Sequence, residues 1–147
     1  MACQSQLLVS KKLCIGAHCA DCPDLRYQQA HKPIIEQETI EGHSVRAMYL
    51  LTAAADLVRL EATNSKPMKD ALERLWSNMT DRKMYLTGGI GSQKQWEGFG
   101  IDYFLPSSTD EGGCYAETCA AIGVMMLAER LLQVHLPFKL IVLDAYV

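Results

Sequence analysis

Apolar residues recur at helical spacing in three places along the chain. Ala47, Leu50, Leu51, Ala54 and Val58 fall at i, i+3, i+4, i+7 and i+11 and predict a helix from about His43 to Ala62. Val45, Met48, Tyr49 and Leu57 widen that stripe, so this helix is expected to pack on two sides within a layered structure. Asn64, Ser65 and Pro67 then supply a turn, a cap and a first-turn proline. The second helix has Met68, Leu72, Leu75, Trp76 and Met79 on one side and Lys69, Asp70, Glu73, Arg74 and Asn78 on the rest, the pattern of an outer amphipathic helix. A third is almost wholly apolar from Ala120 to Leu127, gains Glu129 and Arg130, and is predicted to run to about His135. Inner, outer, inner is the alternation of an α/α toroid or solenoid, and periodicity alone fits a bundle equally well. The fold class is therefore all-α.

The second and third helices are separated by a long stretch, Tyr85 to Tyr115, rich in Gly, Ser and aromatic residues. Connections of this length in a helical domain are functional or disordered. Trp96, Phe99, Tyr103 and Phe104 argue for a binding loop.

Length and charge narrow the function. The 147 residues suit one globular unit with no second full domain, and the net charge of −3 comes without any basic run. Nucleic acid and anionic membrane surfaces are disfavoured as partners. The longest apolar stretch, Ala120 to Ala128, is far below the roughly 20 residues that span a bilayer. Near the N-terminus Leu7, Leu8 and Val9 precede Lys11 and Lys12, the wrong order for a secretory signal. A cytoplasmic location is expected, with the six cysteines as thiols or metal ligands rather than disulfides.

Several residues carry candidate chemistry. Thr87 to Ser92 is glycine-rich but lacks the Lys-Ser/Thr ending of a phosphate loop, so its expected role is a tight turn or close backbone approach. Cys14, Cys19 and Cys22, with His18, either hold a structural zinc or are plain thiols. Glu117 and Cys119 are both suitable zinc donors. Two positions apart on a regular helix they would project about 200° from each other, so they can share a cation only where the helix begins. The alternative is a carboxylate favoured by a helix N-terminus beside an inert cysteine. Glu97 lies in sequence among Trp96, Phe99 and Tyr103, surroundings that suit both a general acid and sugar stacking. His31 and His43 are candidates to hydrogen-bond a ligand hydroxyl, or are structural.

Taken together, the segments resemble the β-L-arabinofuranosidases of glycoside hydrolase family 127. The motifs are Gln29 to Pro33, Gly42 to Leu50, Lys83 to Ser92, Glu97 to Gly100, Asp102-Tyr103, Leu105-Pro106 and Tyr115 to Gly123. The resemblance covers residues 25–133, leaving a Cys-rich segment, 1–24, and a tail, 134–147, outside it. It implies a partial (α/α)6 barrel, an arabinofuranoside or related glycan as substrate, and a zinc-thiolate retaining mechanism. Glu97 matches the acid/base glutamate, Glu117 and Cys119 match two zinc ligands, and His43 matches a histidine near the sugar. Asp110 to Gly113 read as an insertion. The family's other two metal cysteines form an adjacent pair, one of them the nucleophile, and this sequence contains no Cys-Cys dipeptide. The expectation is thus a glycosidase-like catalytic-domain fragment, inactive by itself and prone to self-association through uncovered apolar faces. From a different class, the alternative is a non-catalytic helical module that binds a sugar or a protein.

Overall fold

All three periodicities form helices in the computed structural model, which describes residues 25–60, 65–108 and 114–134. These are α1, Ser44–Arg59, α2, Ser65–Arg82, and α3, Thr118–Gln133, with single 3-10 turns at Ile34–Glu36 and Lys94–Trp96. The described residues contain no strand, only isolated bridges that tie Gly98 to His43 and Gln93, and Met84 to Ile90. Both Ser65 and Pro67 fall in the first turn of α2, and the helix runs three residues past Met79. Cys14, Cys19, Cys22, the Asp110 to Gly113 insertion and His135 lie outside the described residues.

The widest helix pairing is between α1 and α3. Met48, Leu51, Ala55 and Val58 of α1 form one buried cluster with Val124, Leu127 and Leu131 of α3 and Leu72, Leu75 and Met79 of α2. Fully burying a side chain of this size contributes about 1.5–3 kcal/mol. Gly123 explains how α1 and α3 approach so closely: a Cβ at that position would sit 2.8 Å from Met48 Cβ. A mid-helix glycine is otherwise unfavourable.

Polar ties fix the segment that leads into α1. Arg74 of α2 donates to the carbonyls of Gln37 and Ile35, at 2.9 and 3.1 Å. The Ile40 amide donates to Asn78 Oδ1 at 3.0 Å, and Lys83 Nζ donates to the Ile40 carbonyl at 2.9 Å. Lys83 is nearly buried, and burial pushes its pKa down even with Asp102 at 3.5 Å. Asp102 in turn bonds Arg82 at 2.8 Å, which holds its carboxyl below the ordinary range.

Apolar faces are left uncovered, as expected of a partial toroid: Tyr49, Leu57 and Leu60 on α1 and its C-cap are exposed, as are Ile122, Met125 and Leu132 on α3. The described helices bury one face each, and no other described element covers the second. No helix among the described residues is long and apolar enough to cross a membrane.

Candidate active site

The site assembles where the loop after α2 folds back onto the N-termini of α1 and α3. His43 is the N-cap of α1, and its Nδ1 accepts the Val45 amide at 3.2 Å. Histidine is not a favoured N-cap residue, but its ring nitrogen satisfies the same orphan donor. With Nδ1 accepting, the neutral ring carries its proton on Nε2, which lies 3.1 Å from Glu97 Oε2 and donates to it. Tyr27 packs on His43 with ring centroids 5.3 Å apart, and the Arg46 guanidinium sits 4.6 Å above the Tyr27 ring.

Glu97 is held mainly through its backbone. It follows the 3-10 turn Lys94–Trp96 in a left-handed conformation, φ 53° and ψ 38°. The Ser44 amide and hydroxyl both donate to its carbonyl, at 3.0 and 2.7 Å. Next to it, the Phe99 amide donates to the Gly42 carbonyl at 2.9 Å, and the Phe99 ring enters the core. A non-glycine residue in this conformation costs on the order of 1 kcal/mol or more and persists only where its surroundings impose it. Its side chain is 44% exposed, so a ligand can reach the carboxylate.

The approach to α3 is also strained, with positive φ at Cys114 (57°) and Ala116 (36°). Gly91 pairs with this segment, its carbonyl accepting the Ala116 amide at 3.0 Å. Its φ is +77°, and a Cβ there would meet Ser44 Oγ at 2.6 Å. The glycine-rich run therefore serves tight turning and close approach, as expected from its sequence.

Tyr115, between the two strained residues, places its hydroxyl 3.0 Å from Glu97 Oε1 and 3.2 Å from Glu117 Oε2. The two carboxylates push the Tyr115 hydroxyl up to about 12, with the Glu97 hydrogen bond the largest cause. Glu117 is the N-cap of α3 but makes no capping bond with its side chain. Its φ of −66° and ψ of 150° lie outside the helix, so the 200° divergence of two helical positions does not apply. The carboxylate instead raises the pKa of the exposed Cys119 thiol and is the largest cause of that rise. Backbone amides at the helix start pull the other way, and the carboxylate prevails.

Of the candidates among the described residues, His43, Glu97 and Glu117 thus meet in one hydrogen-bonded cluster through Tyr115, with Cys119 at the same helix start as Glu117. His31 does not join it by any hydrogen bond or ion pair among the described residues, and its buried Nδ1 has no partner there. The carboxylate of Glu97 has His43 and Tyr115 as partners rather than the aromatic neighbours adjacent in sequence. Phe99 is in the core, Tyr103 faces solvent, and the Trp96 indole bonds Gln93. A cleft of about 160 Å3 opens beside Trp96, lined by Gln93, Lys83, Arg26 and Glu41 but by no member of the cluster. Sequence reasoning passed over Tyr115 and Tyr27. Tyr115 stands inside a quoted motif two positions before Glu117, which was its one visible signal.

A carboxylate and an exposed thiol at one helix start are two donors of the kind that zinc takes. Among the described residues no group of three or more His, Cys, Asp or Glu residues has the arrangement to hold a metal ion. Glu117 and Cys119 are thus two donors, short of the three or more that such a site needs.

Comparison with known proteins identifies the family. The model of the β-L-arabinofuranosidase, GH127 (glycoside hydrolase family 127) catalytic domain matches residues 4–141. A non-reducing end β-L-arabinofuranosidase of Bifidobacterium longum subsp. longum is 40% identical over 109 residues, covering 74% of this chain and 16% of that protein. Among solved structures, a GH127 β-L-arabinofuranosidase from Geobacillus stearothermophilus T6 superposes with a TM-score of 0.69 at 42% identity, over 76% of this chain and 16% of that one. Another GH127 β-arabinofuranosidase gives 0.68 at 39% identity, over 75% and 16%. The chain thus spans about one sixth of the length of these relatives. By a match that runs through nearly all of its length, and by its likeness to those structures, the chain belongs to the glycoside hydrolase family 127 catalytic domain.

Proposed function

We propose that these residues are the proton-donor side of a retaining β-L-arabinofuranosidase site, acting on an arabinofuranoside or related glycan. The observation that supports this most is the chain of hydrogen bonds His43–Glu97–Tyr115–Glu117, with Cys119 two positions further on at the start of α3. Glu97 is the group that protonates the leaving oxygen. Its carboxylate is reachable from solvent, its main chain is clamped by Ser44, and His43 and Tyr115 fix the direction of its two oxygens. His43 also faces the sugar, and His31 is a second candidate to hydrogen-bond a ligand hydroxyl.

Glu117 and Cys119 would contribute two ligands to a zinc ion. Bound there, zinc supplies positive charge that keeps a thiolate ionised at neutral pH. The raised pKa of Cys119 fits this, because beside Glu117 the thiol keeps its proton until a cation takes its place. The three helices form one arc of an (α/α)6 toroid, in which further hairpins would cover Tyr49, Leu57, Ile122 and Met125. The 147 residues hold no Cys-Cys pair, so this segment supplies the acid and not the paired cysteines that the family's mechanism uses.

A chimera tests the assignment. Residues 25–133 replace the matching segment of the Bifidobacterium longum relative, and hydrolysis of β-L-arabinofuranosides is measured. The chimera is expected to turn over. Glu97→Gln is expected to lower kcat by about 10²–10⁴-fold on substrates with poor leaving groups, and by much less on activated aryl glycosides. Equal losses on both would remove Glu97 from the role of proton donor.

A further inference from the structure

Tyr115 has no part in the proton donation or cation binding described above, yet it is the residue that joins the two. Its hydroxyl carries one proton and stands within hydrogen-bond distance of two carboxylates, Glu97 at 3.0 Å and Glu117 at 3.2 Å. Glu97 Oε2 is already engaged by His43, so Tyr115 is the partner of the remaining oxygen among the described residues. The Glu117 carbonyl accepts the Ala120 and Ala121 amides but its side chain makes no capping bond, which leaves the direction of the carboxylate to Tyr115. The tyrosine is itself anchored. Its amide and that of Ala116 reach the carbonyls of Ser92 and Gly91, at 3.4 and 3.0 Å. The residues on either side of it both have positive φ. Strain of this kind is maintained only by an environment that over-determines the backbone, and its effect here is to aim one ring between two acids.

We propose that Tyr115 is a positioning residue that sets the spacing between the proton-donor carboxylate, Glu97, and the metal-side carboxylate, Glu117, so that a change at either end is felt at the other. This rests on the roles assigned to Glu97 and Glu117 above. Partners of this sort behind a metal-ligating carboxylate typically alter metal affinity by about 10–100-fold when removed.

The test has two arms, both on the full chain. In metal-free protein with 13C at the tyrosine Cζ, the Tyr115 resonance is identified by its loss in Tyr115→Phe. It is expected to move in Glu97→Gln and again in Glu117→Gln, and a resonance that ignores either substitution overturns the bridge. In the second arm, zinc affinity is measured by competition with a chromophoric chelator. Tyr115→Phe is expected to weaken binding about tenfold. Glu97→Gln is expected to weaken it several-fold when Tyr115 is present and to add nothing in Tyr115→Phe, the non-additivity of coupled groups. A ring that only fills space predicts additive effects, and additive effects or unchanged affinity in Tyr115→Phe overturn the positioning role. Zinc binding that ignores both Glu117→Gln and Cys119→Ser sinks the metal assignment itself and the positioning role with it, whereas the first arm still judges the bridge separately.

Discussion

The imidazole of His43 faces two ways: Nδ1 accepts the Val45 amide at 3.2 Å, while Nε2 lies 3.1 Å from Glu97 Oε2. One side chain thus caps a helix and orients the candidate proton donor, and the two roles are separable. His43→Ala is expected to cost about 1 kcal/mol in urea unfolding from the lost cap alone. His43→Asn restores an N-cap acceptor but is too short to reach Glu97, so it should recover most of that stability. Equal losses in both variants would mean that the contact with Glu97, rather than the cap, carries the stabilisation.

Gly123 offers a test of packing between α1 and α3. Alanine there gains helix propensity of about 1 kcal/mol, but its Cβ would lie 2.8 Å from Met48 Cβ. Overpacking of this kind costs about 1–3 kcal/mol, so Gly123→Ala is expected to be destabilising on balance. Met48→Ala cannot itself relieve a clash with Cβ, whereas Met48→Gly can. A stabilised Gly123→Ala in thermal unfolding would show that the helices lie further apart.

The thiol of Cys119 should report its neighbour. Glu117 raises its pKa, so alkylation of Cys119, followed by peptide mass spectrometry, should be slow at neutral pH and accelerate only above the ordinary thiol range. Glu117→Gln removes the largest cause of that rise, so its labelling curve should move to lower pH. Each unit of movement gives about tenfold more thiolate at a fixed pH below the midpoint. Coincident curves for the two proteins would mean that the carboxylate and the sulfur are not in contact.

The sequence carried the helices well because each has a long, strongly periodic apolar stripe. It carried Glu97, Glu117 and Cys119 through their motifs, and the helix-start argument for the last two agrees with Glu117 as the non-helical N-cap. What it could not carry were relationships across the fold. No propensity marks histidine as an N-cap, and nothing local places Tyr115 between acids that stand 18 and 2 residues away. The aromatic neighbours of Glu97 misled for the same reason. Consecutive residues in a tight turn point apart, which sends Phe99 into the core while the carboxylate meets His43 and Tyr115.

Zinc titration of the full chain tests the central claim most directly, comparing wild type with Glu117→Gln, Cys119→Ser and the triple Cys14→Ser, Cys19→Ser, Cys22→Ser. If Glu117 and Cys119 share one cation beside Glu97, each single substitution weakens binding by more than about tenfold and the triple leaves it unchanged. Binding that survives both single substitutions and disappears in the triple would contradict the account.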